Sequence, residues 1–323
     1  MTLPPLLEAQ LESLLHDVHP HELRESAAHL SERYRSGHST SAPRAATAIE
    51  ALGYAATRMP ATYGAVVQTL SAVHQALPDF APQSLLDVGS GPGTALWAAL
   101  AEFPSIADVT ALEREPAMRD LGSKLAAFAP DPLRHAQWLD HVLGQAPLKP
   151  HDLIIAAYVV GELRPDEAQS QVKALWEAAR GVLVVVEPGT PDGFSRIRRL
   201  REDLIRAGAQ VVAPCPHSQS CPIADGDWCH FAQRIQRTRR HRQLKGADAP
   251  FEDEKFSYVA VTRQGVYDRS SRVLRHPQIE SGRITLSLCG PDGLTTQVVT
   301  RRDPHFKEAR KTRWGEVFPP GRK

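Results

Sequence analysis

The segment Leu85–Thr94 (LLDVGSGPGT) passes from an apolar run through Gly89, Gly91 and Gly93 into an alanine-rich stretch. Glycine lets the main chain come close to a ligand, and a helix starting there offers unpaired N–H groups. In dinucleotide folds such a turn cradles a pyrophosphate. Here the acid Asp87 closes the apolar run, where it would repel a phosphate and attract an amino group. Any tight strand-to-helix turn needs glycine, so the turn alone decides little. Its context narrows the chemistry. Glu113 ends the next apolar run, 26 residues after Asp87, and a carboxylate there can accept hydrogen bonds from two ribose hydroxyls. Asp140 follows a third candidate strand, suited to an adenine amino group, and Tyr158 ends a fourth. Ser90, between the glycines, belongs to the same candidate set.

A second group is made of thiols. The chain has 4 cysteines: Cys215, Cys221 and Cys229 follow a C-x5-C-x7-C spacing, and Cys289 stands apart. Four thiolates complete the coordination of a tetrahedral metal or an iron–sulfur cluster. The spacing is not the paired CxxC of a zinc ribbon, and one remote ligand suits a cubane, whose corners lie farther apart. Zinc remains the alternative, with His217 or His230 able to replace a thiol. Cys215 after Pro214 also resembles a nucleophilic pair, but its place within a cysteine cluster favours ligation. Ordinary buried thiols are the plainer alternative.

The elements that must position these groups alternate. Residues 1–80 read as helical, from Leu6, Leu7, Leu11, Leu14 and Leu15 and an alanine-rich stretch at Ala46–Met59, with a loop at Ser36–Pro43. They form a cap ahead of the main unit. Strands are expected at Ser84–Val88, Val109–Glu113, Arg134–Leu139, Asp152–Tyr158 and Gly181–Glu187. Helices between them run over Thr94–Phe103, Pro116–Phe128, Pro165–Ala179 and Phe194–Ala207. Continuous apolar strands alternating with helices imply a parallel sheet covered on both faces, the doubly wound α/β architecture. The expected division is a helical region at 1–80, a Rossmann-like unit at 81–212, and a cysteine-bearing, basic, β-containing extension at 213–323. A strand at Phe256–Thr262 completes the main sheet, and two more are expected at Arg283–Leu288 and Thr295–Thr300.

Charge is unevenly placed. The net charge is +1, yet the stretch from Ala232 onward holds twenty Lys/Arg against ten Asp/Glu. A strongly basic end calls for a polyanionic partner; a solvated charged surface is the alternative. Arg234, Arg237, Arg239, Arg240, Arg242 and Lys245 would cover most of a helix circumference, as a phosphate-binding surface does. Arg301, Arg302, Lys307, Arg310, Lys311 and Arg313 form a second run, with Trp314 available for stacking and Trp228 expected in a core. No apolar run has the length of a membrane span, and the first residues lack a secretory pattern, so a reducing, cytoplasmic home and no membrane are expected.

Taken together, Asp87, the glycine turn, Glu113, Asp140 and Tyr158 resemble the class I methyltransferase pattern over residues 80–210. That resemblance implies S-adenosyl-L-methionine, with a nicotinamide or nucleotide as the alternative. The turn DVGSGPG, Tyr158–Leu163 (YVVGEL), Val184–Phe194 (VVVEPGTPDGF), Cys215–Arg234 (CPHSQSCPIADGDWCHFAQR) and Phe256–Tyr258 are similar to a narrower family. It is the methyltransferase-like proteins associated with the small ribosomal subunit in bacteria and mitochondria, and the likeness covers about residues 45–315. It implies a [4Fe–4S] cluster on Cys215, Cys221, Cys229 and Cys289, and small-subunit ribosomal RNA as partner of a monomer. Three readings stay open: an RNA methyltransferase, a non-catalytic assembly factor, and a small-molecule methyltransferase with structural zinc.

Overall fold

The computed structural model describes residues 1–26, 47–141, 144, 147–265 and 270–319. The loop expected at Ser36–Pro43 lies outside the described residues. Helix α1 (Pro5–His16) buries Leu7, Leu11 and Leu15, the apolar stripe of its sequence. Helix α2 (Ala48–Ala76) begins at a capping box, in which Thr47 Oγ1 accepts from the Glu50 amide and the Glu50 carboxylate accepts from the Thr47 amide. Small residues let α2 lie close against the sheet. A Cβ on Gly64 would stand 2.3 Å from Ile235 Cδ1.

The alternating unit follows: β1 (Ser84–Val88), α3 (Thr94–Glu102), β2 (Asp108–Leu112), α4 (Pro116–Ala126), β3 (Gln137–Leu139), β4 (His151–Ala157), α5 (Pro165–Ala178), β5 (Ala179–Pro188), α6 (Pro191–Arg206) and β6 (Gln210–Ala213). After a loop at 214–230 come β7 (Phe231–Gln236), α7 (Arg239–Lys245) and β8 (Phe251–Thr262). The strand order is β3-β2-β1-β4-β5-β8-β6, with β7 also paired to β8. Strands β1 to β5 are parallel, whereas β8 runs antiparallel to β5, β6 and β7. Leu153–Ala156 and Val182–Val186 are fully buried, as strands covered on both faces must be. Helices α1 to α4 share one apolar cluster with the sheet, and α5 and α6 share the other. The order reverses between β1 and β4, so the loops after these strands part and leave a crevice.

A smaller antiparallel sheet holds β9 (Ser271–Val273), β10 (Gln278–Glu280), β11 (Arg283–Gly290), β12 (Gly293–Thr300) and β13 (Val317–Phe318), with α8 (Phe306–Ala309) against it. The late strand expected from Phe256 starts at Phe251, because the charged run FEDEK pairs with β7. The expected division at 212/213 thus falls inside the large sheet. No helix among the described residues is long and apolar enough to cross a membrane.

Candidate functional site

The crevice is a cleft lined by Gly89, Gly91, Glu113 and Tyr158, and also by Tyr54, Met118, His141 and Glu162. Gly89, Gly91 and Gly93 all have positive φ, which suits residues without a Cβ. At Gly89 a Cβ would also meet Val159 Cγ2 at 2.4 Å; at Gly91 it would point into open space. The turn is tied to β2 by hydrogen bonds from the Gly89 and Ser90 amides to Leu112 O, at 2.8 and 3.1 Å. Glu113 closes it: Oε2 accepts from the Gly91 amide and Oε1 from the Glu115 amide, each at 2.8 Å.

Asp87 sits behind the turn, buried, with Oδ2 lacking any hydrogen-bond partner. Burial, and next the charge of Glu113, push its carboxyl up to about 8. Burial also raises Glu113, against the two amides that hold it. Tyr158 has a φ of 58°, a strained value for a residue with a side chain. Its hydroxyl donates to Glu254 Oε1 at 2.9 Å, and burial raises both groups.

Besides Asp87, which lies behind the turn, three of the expected cleft residues are absent from the cleft lining. Ser90 is buried with Oγ unpartnered, outside the cleft lining. Gly93 lies under the Trp138 ring, which a Cβ would meet at 2.7 Å. Asp140 has a 69% exposed side chain paired with Arg119, and its neighbour His141 enters the cleft instead, with Nε2 buried and unpartnered. Tyr54 comes from α2, and no local sequence signal marks it as a cleft residue. Glu187, also unmarked, is fully buried at the end of β5 and holds the turn after β4 through the Gly161 amide and Arg196.

The cysteines meet at another place. Cys215, Cys221 and Cys229 belong to the 214–230 loop and Cys289 to β11, and all are free thiols lining one pocket. Burial raises Cys215, raises Cys229 further and takes Cys289 to about 12. The thiols surround the cavity and do not converge: among the described residues no three His, Cys, Asp or Glu side chains are placed to hold one metal ion. His217 Nε2 lies 3.6 Å from Cys289 Sγ, while His230 stacks on Trp228 and meets Trp314 edge-on. Two guanidiniums, Arg201 and Arg272, also line the cavity.

The first basic run is less free than its sequence implies. Arg234 pairs with Asp253, Arg237 and Lys245 with Glu252, and Arg240 with Glu12. Helix α7 buries His241 and Leu244, and Arg242 is half-buried. Arg239 is exposed, so the expected unbroken phosphate-facing surface is broken by acids from β8 and α1. In the second run Arg310, Lys311 and Arg313 are exposed. Trp314 packs edge-on against His230 and His276, at 4.8 and 5.0 Å between centroids.

A doubly wound sheet ending in an antiparallel strand pair, with a glycine-turn cleft at its switch point, is a Rossmann-like methyltransferase fold. The chain belongs to the Rsm22 family, described as mitochondrial small ribosomal subunit Rsm22, whose model matches residues 48–319. It is 28% identical to the Homo sapiens "Ribosome assembly protein METTL17, mitochondrial", over 96% of this chain and 69% of that protein. It is 25% identical to the Schizosaccharomyces pombe "Rsm22-cox11 tandem protein 2, mitochondrial", over 97% of this chain and 48% of that protein, so it spans about half of that length. A solved structure it is similar to is the magnesium protoporphyrin IX methyltransferase of Synechocystis with bound SAM, at 13% identity and TM-score 0.42, over 72% of this chain and 90% of that one. The expected cytoplasmic location is corrected by these findings. The family and the relatives matched are mitochondrial by name.

Proposed function

We propose that this protein binds S-adenosyl-L-methionine and acts in assembly of the small ribosomal subunit. The observation that carries the cofactor is the cleft behind which Asp87 Oδ2 is buried without a partner, with open space in front of Gly91. A cationic amino acid moiety suits a carboxyl in that state, and Glu113 and His141 lie where a ribose and an adenine would follow. The subunit comes from the family and from the name of its human relative. Exposed Arg239, Arg310, Lys311 and Arg313 are among the cations able to meet RNA phosphates. Four thiols lining one pocket are the donor set that an iron–sulfur centre or a zinc ion takes, and the remote ligand Cys289 favours the cluster. Cys215, Cys221, Cys229 and Cys289 would hold that centre, which supplies cross-linking of the two sheets when bound.

Calorimetry with S-adenosyl-L-methionine tests the cofactor: saturable binding by the wild type, lost in Asp87→Ala, is expected. Unchanged affinity in the variant overturns the site. The intact glycine turn keeps methyl transfer as a second reading. Labelled methyl incorporation into small-subunit RNA favours that enzyme, and binding without incorporation favours the assembly role.

A further inference from the structure

Most buried or half-buried arginines of this chain have an acid beside them, as Arg237 has Glu252 and Arg196 has Glu187. Arg201 and Arg272 do not. They are 3% and 5% exposed, and neither has a carboxylate at ion-pair distance among the described residues. Arg201, on α6, donates from Nη2 to His217 O at 2.9 Å, while Nε and Nη1 have no nitrogen or oxygen partner. Arg272, on β9, donates to Pro214 O at 3.0 Å and Gly315 O at 2.9 Å. Arg275 also lies near the cysteines, but Asp227 neutralises it with contacts of 2.7 and 2.9 Å. Guanidinium does not give up its proton in proteins, so burial leaves two charges that carbonyl dipoles only partly offset.

Both side chains line the same cavity as the four thiols. We propose that Arg201 and Arg272 are the buried counter-cations of a doubly anionic centre carried on Cys215, Cys221, Cys229 and Cys289. Four thiolates around a dicationic iron–sulfur cluster, or around a zinc ion, leave two negative charges, and two guanidiniums cancel them. One cation comes from the large sheet's helix layer and the other from the small sheet, so the centre draws the two together by charge as well as by ligation. This inference rests on the tetrathiolate reading above and assigns it a charge. The arginines touch no metal; they are positioning residues, and their mark is a change of sign between the loaded and the stripped protein.

The test uses the whole chain, purified anaerobically, as wild type, Arg201→Met and Arg201→Lys, each loaded and chelator-stripped. Loaded Arg201→Met is expected to melt lower than wild type and to lose iron or zinc to a chelator about tenfold faster or more. Stripped Arg201→Met is expected to melt higher than stripped wild type, by about 3 °C or more, because an uncompensated buried charge has been removed. Arg201→Lys keeps the charge and should follow wild type in both forms. The same sign of effect in both forms, a Lys variant as impaired as Met, or a Met variant unable to fold in either form would overturn the assignment. Wild type that carries neither iron nor zinc instead overturns the tetrathiolate reading itself, a result visible before any variant is made.

Discussion

Behind the glycine turn, Asp87 and Glu113 are buried with no guanidinium or ammonium in ion-pair contact among the described residues. Beside the cysteine loop, Arg201 and Arg272 are buried with no carboxylate at ion-pair distance among the described residues. The two pockets are thus opposite in kind: one holds buried carboxyls and the other buried guanidiniums. Burying an unpaired charge is costly, so a fold keeps one where something outside the chain completes it. Under the proposed function the two partners differ in sign: a cationic ligand for the cleft and an anionic centre for the cysteine pocket.

Breaking the cysteine side should have the larger effect. Cys289 is the one thiol supplied by the small sheet, so Cys289→Ser should lose most of the bound metal and lower the thermal midpoint by more than about 5 °C. Metal analysis and melting of anaerobic protein check it; full metal retention means the remote ligand is misassigned. On the cleft side, Asp87→Ala or Gly91→Val should weaken S-adenosyl-L-methionine binding at least about tenfold, or about 1.4 kcal/mol, without unfolding the protein. Calorimetry paired with a melting curve reads both.

A pH series sharpens the contrast further. Asp87 titrates near 8 when folded, against an ordinary 3.8. Between those values the ligand-free folded state holds a proton that the unfolded chain has released, so stability falls as pH rises through that window and levels off above it. Asp87→Asn should flatten that slope and melt higher than wild type at pH 8. A cationic ligand favours the carboxylate, so binding at pH 7 should release a proton and tighten as pH approaches about 8. Calorimetry in buffers of different ionisation heat measures the proton. Affinity flat over this range would detach Asp87 from the ligand.

The smallest effects belong to the surface. Arg239→Glu, Lys311→Glu and Arg313→Glu should each reduce the salt dependence of RNA affinity by about 0.7–0.9 for every phosphate no longer neutralised. Arg237→Glu should instead destabilise the fold by about 1–3 kcal/mol, since it sets a second carboxylate against Glu252 and leaves Lys245 to offset both. Anisotropy titrations at several salt concentrations, with melting curves, separate the two behaviours.

Features contiguous in the chain are legible in the sequence. The turn at Gly89–Gly93, the apolar strands and the 214–230 cysteine loop all announce themselves locally. Partners distant in sequence do not. The arginines at 234–245 read as unopposed because their acids sit on another strand, at Glu252 and Asp253, or on the first helix, at Glu12. Alternation along β8 sends Glu252 and Glu254 to one face and Asp253 to the other. Charge counting along the chain cannot see that arrangement. Asp140 and His141 differ by one position at the end of β3, and the direction of the side chain decides which enters the cleft. The unpaired state of Arg201 and Arg272 is a property of burial, which sequence does not carry.

The 214–230 loop leaves the sheet at Ala213 and rejoins it at Phe231, and both residues pair with the same strand, at Ala260 and Phe256. Those anchors are four positions apart on β8, a span of about 13 Å. The mouth of the loop is therefore drawn shut by ordinary backbone pairing, with no help from whatever the thiols hold. If the thiols hold the proposed centre, it can be delivered to a loop whose two ends are already paired. Residues can also be added to or removed from its rim without shifting the register of β8, because both anchors lie outside the loop.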